Sequence, residues 1–285
     1  MLAGNRGAGV GEWGFAALLE VDGQRLLIDT GERPETVLRN ASELGIDLSD
    51  VSDLVLTHNH SDHTAGLLSL RRELAKKNPR ALSRVHVAKG MFLSRPGPGG
   101  TEGNGLLPIK AQYEASGGVF IEHEGPAQLL PAVWLTGPVP RPNPERNWSV
   151  TGRVQTPSGP VEDTVPEDAS VVVDTPEGLI LISGCGHAGI INTIEYSRKI
   201  VRTAPLLAAV GGFHLFAATD ANIEWTAGKL REFGLQHLLG AHCTGIEAVY
   251  RLRTLVGLTR KTAVVGAVGS SFTLGKGIDA LALAS

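Results

Sequence analysis

The sequence predicts an α/β sandwich. Apolar strand patterns and helical periodicity alternate in both halves of the 285-residue chain, and no internal repeat is visible. Hydrophobic residues make up 42% and charged residues 19%, a balance typical of globular proteins. This length suits one large domain or two small ones. We predict a single domain over residues 1–285, with a proline- and glycine-rich insertion at about 96–166.

The first half begins with a predicted β-hairpin. Residues 15–21 and 25–29 are apolar runs separated by Asp22-Gly23, a dipeptide typical of two-residue turns. Pro34 begins a predicted helix that ends at Gly45, because proline suits the first helical turn and glycine the position after the last one. The remaining predicted elements are a strand at 53–57, a helix at 66–77 and a strand at 84–88.

The middle of the chain differs in composition. Of the 16 prolines, 12 lie between Pro96 and Pro166, and glycine is frequent there too. Short strands are predicted at 119–122 and 132–135, but no helix, because helical periodicity is weak. Loops of this length usually carry a function, so we expect the segment to pack over the body of the protein and wall a pocket.

Regular patterning returns in the second half. Apolar runs at 170–174 and 179–183 flank a turn, and further strands are predicted at 206–210 and 237–240. The predicted helices of this half lie at about 190–202, 220–232 and 245–255.

Charge and composition exclude several functional classes. Lysine and arginine number 26 against 29 aspartate and glutamate, so the net charge is −3, and no basic run indicates nucleic-acid binding. No apolar run approaches the roughly 20 residues of a membrane helix. Two cysteines cannot form a disulfide framework, and the first residues lack a signal-peptide pattern. We therefore expect a cytoplasmic protein.

Three of the nine histidines lie in one short window between a predicted strand and a predicted helix. The window reads His58-Asn59-His60-Ser61-Asp62-His63. Imidazole and carboxylate ligands suit zinc and similar first-row metals. In extended chain His58 and His60 can point the same way, whereas Asp62 and His63 lie on the turn and can face a second point. One short segment can therefore serve two metals.

Other candidates also follow predicted strands. His187 comes soon after the strand at 179–183, and His242 soon after the strand at 237–240. Asp29 ends the strand at 25–29, where it is either an ordinary turn aspartate or an acceptor that orients a histidine ring. Their similar positions at strand ends favour a role together with the first window.

The motifs LLIDTG, THNHSDHTAG, GCGHAG and AHCTG, in this order and spacing, resemble the metallo-β-lactamase superfamily. The resemblance runs from about Trp13 to Gly245 and implies an αββα sandwich with a two-metal site at one edge of the sheets. In this family pattern His58, His60 and His187 would bind one metal, Asp62, His63 and His242 the second, and Asp29 would orient a ligand. We expect two divalent ions, zinc ahead of manganese or iron.

A narrower resemblance concerns the branch named for a dihydropterin ribofuranosyl-aminobenzene phosphate synthase. The stretches that carry it are EWGFAALLE, NASELGIDLSDV, GCGHAGIINTI, GGFHL and HCTG.

Gly212 departs from the family pattern. Many members carry an acidic bridging ligand, or a cysteine, at about this position, and glycine cannot bridge metals. His214 would replace that ligand, contact substrate as a catalytic acid or oxyanion donor, or pack in the core. Cys185 and Cys243, each close to a predicted ligand histidine, are either soft ligands or small buried fillers.

Such a site supports hydrolysis. Two metals that share a water lower its pKa from about 16 toward 7, and the hydroxide would attack phosphorus or a carbonyl carbon. Asp62 would hold the hydroxide or carry its proton, with His214 as the candidate acid. The predicted protein is therefore a metal-dependent hydrolase of a small-molecule phosphoester (mono-, di- or triester) or related ester, without nucleic-acid or membrane partners.

Two alternatives remain open at this point. The missing bridge at Gly212 favours a non-hydrolytic metal protein with a redox, transfer or binding role. The family resemblance also includes carbonyl hydrolases of the lactonase or β-lactamase kind.

Overall fold

Two stacked β-sheets, each covered by helices on its outer face, form the body of the protein, whose computed structural model describes Gly4 and residues 7–280. This is the αββα sandwich that the family resemblance implies. The N-terminal sheet has five strands in chain order: β1 (Ala17–Val21), β2 (Gln24–Ile28), β3 (Asp53–Val55), β4 (Arg84–Ala88) and β5 (Val119–His123).

The predicted hairpin is confirmed in the N-terminal sheet. β1 and β2 pair in antiparallel fashion, and every later neighbour in this sheet is parallel. The turn residues Asp22 and Gly23 have φ angles of 49° and 74°. Both are positive, as a type I′ turn requires.

Later strands form the C-terminal sheet and two small hairpins. They are β6 (Ala127–Leu130), β7 (Val133–Leu135), β8 (Arg153–Thr156), β9 (Gly159–Glu162), β10 (Ser170–Thr175), β11 (Gly178–Ser183), β12 (Leu206–Gly211), β13 (His237–Gly240), β14 (Ala263–Val265), β15 (Ser271–Thr273) and β16 (Gly277–Asp279). The C-terminal sheet runs in the order β14-β13-β12-β11-β10-β7-β6, with β11 to β14 mutually parallel. β8 pairs with β9, and β15 with β16.

The structure has seven α-helices among the described residues, and six of them cover the outer faces of the sheets. The seven are α1 (Thr36–Glu43), α2 (Ser61–Thr64), α3 (Leu67–Ala75), α4 (Leu107–Ala115), α5 (Ile190–Ile200), α6 (Asp220–Glu232) and α7 (Ile246–Val256). Side chains of α1, α3 and α4 pack on the N-terminal sheet, and those of α5, α6 and α7 pack on the C-terminal sheet. None of these helices is long and apolar enough to cross a bilayer.

Strand alternation divides the core into three layers. Val172 and Leu181 face the helices of the C-terminal sheet, whereas Val171, Val173 and Ile182 face the opposite sheet. Each fully buried side chain of this size contributes about 1.5–3 kcal/mol of burial free energy. Both faces of β10 and β11 are therefore apolar, which explains the continuous hydrophobic runs of these strands.

The proline-rich middle contains a helix that the sequence analysis did not predict. Helix α4 has Pro108 in its first turn, where the missing N–H is tolerated, and only Tyr113 is buried. Its weak amphipathic pattern explains the missed helix. The segment also supplies β5 to one sheet and β6 and β7 to the other. The single-domain organisation with an insertion stays a prediction.

Candidate metal centre

The predicted site residues follow the carboxyl ends of strands from both sheets. Parallel strands of one sheet end at the same edge, and the loops beyond them meet there. The strands and the residues that follow them are β2 with Asp29, β3 with the window from His58 to His63, β11 with His187, β12 with His214, and β13 with His242. The fold thus brings together residues that are far apart in the chain.

His58, His60 and His187 form one group of imidazoles. The ring centroids of His58 and His60 are 4.6 Å apart, and each lies 4.8 Å from that of His187. His187 Nδ1 donates to the carbonyl of Asn147. Because Thr57 Oγ1 donates to Asp29 Oδ2, its lone pair accepts from His58 Nδ1 at 3.0 Å. In His58 and His187 the lone pair therefore lies on Nε2, and both Nε2 atoms are buried without a partner among the described residues.

Asp62, His63 and His242 form the second group. Asp62 Oδ2 lies 3.2 Å from His242 Nε2 and 3.7 Å from His63 Nε2, and these two nitrogens are 3.2 Å apart. Asp29 Oδ2 accepts from His63 Nδ1 at 2.7 Å, so the lone pair of His63 also lies on Nε2. Asp29 is fully buried and is held in turn by the backbone N–H and the hydroxyl of Thr57.

The two groups fit divalent cations. Asp62, His63 and His242 belong to one cluster of possible ligands, and His58 and His187 belong to another. Within each cluster the ligand atoms all lie within 4.8 Å of one another. Buried acceptors without donors are costly, and a cation among them removes that cost. The orphaned Nε2 atoms of His58 and His187 are therefore the observation that favours a metal here.

The pKa shifts of His58, His60, His187 and Asp62 agree with ligand roles. Burial and neighbouring imidazoles lower the pKa of His58 and His187 well below the usual value, and burial lowers that of His60 to about 4. These rings are neutral at pH 7, the form that binds metals. Burial alone would raise the pKa of Asp62, but the hydrogen bond with His242 and the nearby imidazoles hold it below its usual value. Burial would lower the pKa of His63, but the Asp29 carboxylate raises it.

His60, Asp62 and His214 mark the open side of the centre. These three side chains are half-buried, whereas the other four histidines of the site are buried. The ring of His214 lies 4.5 Å from that of His187, and its Nδ1 has no partner among the described residues. Beside His214 is a cavity of about 490 Å³, lined also by Asn147, Trp148, Asn222 and Trp225. The proline-rich segment supplies part of this wall.

Sequence reasoning missed residues that support the ligand loops. The carboxylate of Asp168 accepts from Ala188 N at 2.9 Å, next to His187. The buried pair of Arg95 and Glu167 lies beside the first window, where Glu167 Oε1 accepts from Asn59 N at 3.3 Å. No sequence signal marks these contacts, because the partners lie 20, 72 and 108 residues apart along the chain.

The comparisons with known proteins decide the family. The family model described as the metallo-beta-lactamase superfamily matches residues 14–201.

The chain belongs to the metallo-β-lactamase superfamily.

Similar members of the superfamily extend this result. A Methanocaldococcus jannaschii protein named 7,8-dihydropterin-6-methyl-4-(beta-D-ribofuranosyl)-aminobenzene-5'-phosphate synthase is 30% identical, with 82% of each chain covered. The solved structure of Tm1679, described as a metal-dependent hydrolase of the beta-lactamase superfamily, is 27% identical with a TM-score of 0.72 and covers 89% of this chain and 90% of that one. The predicted superfamily and its synthase-named branch are confirmed.

A more distant solved structure shares the fold alone. Zn(2+)-bound PqqB from Methylobacterium extorquens is 13% identical with a TM-score of 0.50, covering 84% of this chain and 81% of that one. The shared scaffold is therefore that of metal-dependent hydrolases of the superfamily type, with His, Asp and Cys clusters in this chain that could hold metal.

Proposed function

We propose that this protein is a metal-dependent hydrolase of small-molecule phosphoesters or related esters. The observation that carries the proposal is the convergence of two adjacent ligand groups, one of which lies through His187 against His214, a half-buried residue that lines the cavity. The similarity to Tm1679 supports a hydrolase, because that protein is described as a metal-dependent hydrolase.

The residues present fit a pair of zinc ions. His58, His60 and His187 would hold one, and Asp62, His63 and His242 the other. When bound, two such cations supply Lewis acidity and lower the pKa of a water from about 16 toward 7. The nucleophile would therefore be water, without a serine or cysteine nucleophile.

The protein's own groups would position the reaction and move protons. Asp62 lies between both groups, since its carboxylate clusters with His58 and His60 as well as with His63 and His242. It would accept the proton of the attacking water. His214 would donate a proton to the leaving oxygen, because its Nδ1 is free of protein partners in the described structure and its ring lies at the cavity. Asp29 fixes the ring of His63 through the hydrogen bond at Nδ1.

The cavity wall suits an anionic, partly aromatic substrate. The guanidinium carbons of Arg141 and Arg146 lie 4.9 and 5.7 Å from the ring of Trp148, which lines the cavity. Arg141 Nη1 is buried without a protein partner among the described residues. Of these two arginines Arg146 lines the cavity, where its guanidinium pairs with Glu162 Oε1 at 2.7 Å. A phosphate group would compete for this guanidinium, and the tryptophan ring would stack on an aromatic portion of the substrate.

Steady-state kinetics test the proposal. We expect zinc-loaded protein to cleave activated phosphoesters, and His60→Ala and His242→Ala to lower kcat/KM by at least about 100-fold, as expected when catalytic electrostatic groups are lost. His237→Ala is the matched control, because His237 begins β13 at the end opposite to His242. Unchanged kcat/KM in both site variants would contradict the proposal.

A transfer reaction is the second candidate, because the similar M. jannaschii protein is named a synthase. Metal-loaded protein that cleaves no phosphomonoester, diester, triester, lactone or carboxylester would favour it. Purification with iron, and a spectral change on reduction, would favour a redox role instead.

A further inference from the structure

Cys185 occupies the space between the two ligand groups. Its Sγ lies 3.1 Å from His63 Nε2. The sulfur also falls within 4.8 Å of the ligand atoms of Asp62 and His242 on one side, and of His58 and His187 on the other. Cys185 is fully buried, and it precedes His187 by two residues.

The position where many superfamily members carry a bridging ligand is closed in this protein. A Cβ atom built on Gly212 would lie 2.0 Å from the carbonyl oxygen of Gly184 and 2.9 Å from Cys243 Sγ. Contacts this short exclude any side chain at residue 212 without backbone movement. A bridging side chain would therefore have to come from another residue, and Cys185 Sγ lies 3.3 Å from the Cys243 sulfur that borders this point.

We propose that Cys185 Sγ is a metal ligand that bridges the two metal positions in place of the missing residue-212 ligand. Donor atoms about 2.0–2.3 Å from one zinc ion lie roughly 3–4 Å from each other, and thiolate sulfur is among the preferred zinc donors. The separations of His63 Nε2 from Cys185 Sγ and from His242 Nε2, 3.1 and 3.2 Å, match that spacing. The inference rests on the metal centre of the proposed function, but not on hydrolysis.

Cys243 differs from Cys185 in its contacts. The backbone N–H of His214 donates to Cys243 Sγ at 3.3 Å, and the Cys243 thiol donates to Cys185 Sγ at 3.3 Å. Cys243 clusters with Cys185 and His214 only, and with neither of the two ligand groups. Its contact with the Cys185 sulfur is that of a hydrogen-bond donor to a ligand. Cys243 is therefore a matched control, as a second buried thiol 3.3 Å away.

Cobalt substitution tests the assignment without using activity. Metal-free protein is titrated with Co²⁺ and followed by absorption, because a thiolate ligand produces an intense ligand-to-metal charge-transfer band in the near ultraviolet. We expect this band in the parent and in Cys243→Ser, and its loss in Cys185→Ser. We also expect the affinity of Cys185→Ser for one of the two Co²⁺ ions to fall by more than about 100-fold. Loss of a residue that only contacts a ligand would lower metal affinity by about 10- to 100-fold.

Zinc X-ray absorption spectroscopy of the parent protein is a second test, which can be used even if Cys185→Ser does not fold. Sulfur in the zinc coordination sphere supports the proposal, and nitrogen and oxygen alone overturn it. Two bound Co²⁺ without the band, or a band that Cys185→Ser keeps and Cys243→Ser loses, also overturn it while leaving the metal centre intact. If the parent binds no Co²⁺, both this proposal and the metal centre fail.

Discussion

Replacement of Asp29 by asparagine should weaken metal binding without unfolding the protein. Asp29 is fully buried, and its two oxygens accept from Thr57 N, Thr57 Oγ1 and His63 Nδ1 at 2.7–2.8 Å. Its φ is 59°, a left-handed value that asparagine adopts readily. Asparagine also matches aspartate in shape, so the backbone should stay in place.

The expected loss of metal affinity in Asp29→Asn follows from the hydrogen bonds of Asp29. If the amide oxygen keeps the bond from Thr57 N, the amide NH₂ faces the donor at His63 Nδ1. The ring must then move its proton to Nε2, the atom that faces His242. Loss of such an outer partner typically lowers metal affinity about 10- to 100-fold, equivalent to about 1.4–2.8 kcal/mol.

Competition with a chromophoric chelator measures this change. The parent, Asp29→Asn and Asp50→Asn are compared, because Asp50 is exposed and pairs with Arg25 at the surface. Thermal unfolding of the metal-free proteins checks that the variants are folded. A folded Asp29→Asn protein with the metal affinity of the parent would refute the role of Asp29 in orienting His63.

Three further predictions concern backbone packing, pH and the cavity. Gly184→Ala should disrupt the metal centre, because its Cβ would lie 2.2 Å from Thr57 Oγ1 and 2.5 Å from Asp29 Oδ2. Gly228→Ala is the control: apart from the helix's own backbone, a Cβ at this position of α6 meets no atom within 4 Å, so the variant should stabilise the fold by about 0.5–1 kcal/mol. Metal titration and denaturant unfolding check both variants. Burial raises the pKa of Glu145 from 4.5 to about 7, so the folded state binds this proton more tightly than the unfolded state. The protonated carboxyl therefore adds to the free energy of unfolding. This stabilisation is complete below pH 4.5 and is lost as the pH rises toward 7. Glu145→Gln should remove that part of the pH dependence of unfolding, and parallel curves for parent and variant would contradict this. Trp148→Ala should raise KM for aromatic phosphoesters by about 2- to 12-fold, matching about 0.5–1.5 kcal/mol for one aromatic contact, and an unchanged KM would remove the ring from the binding site.

Much of the fold could be predicted because local pattern and tertiary burial agree. The hairpin at Asp22-Gly23, and the strands that became β10 and β11, combine turn chemistry with apolar runs buried on both faces. The missed elements include helix α4 and the short strands β6, β8, β9, β14, β15 and β16. Their stability comes from contacts with the rest of the fold, so their own sequences carry little periodic signal.

The site could be predicted only for residues whose chemistry is visible in the sequence. The window from His58 to His63, His187 and His242 combine metal-binding residue types with strand ends, and the structure brings them together. The contacts made by Asn147 and Asp168 were not predictable, because a backbone carbonyl and a distant carboxylate show no local pattern. Cys185 carried only a weak signal, its closeness in sequence to the predicted ligand His187.

The number of metal ions per chain tests the central claim most directly. Elemental mass spectrometry of zinc-loaded, gel-filtered protein should give two ions per chain for the parent and about one for His187→Ala and for His242→Ala, because each variant removes a ligand from a different group. The account would be contradicted if the parent held no stoichiometric metal, or if both variants kept the full complement.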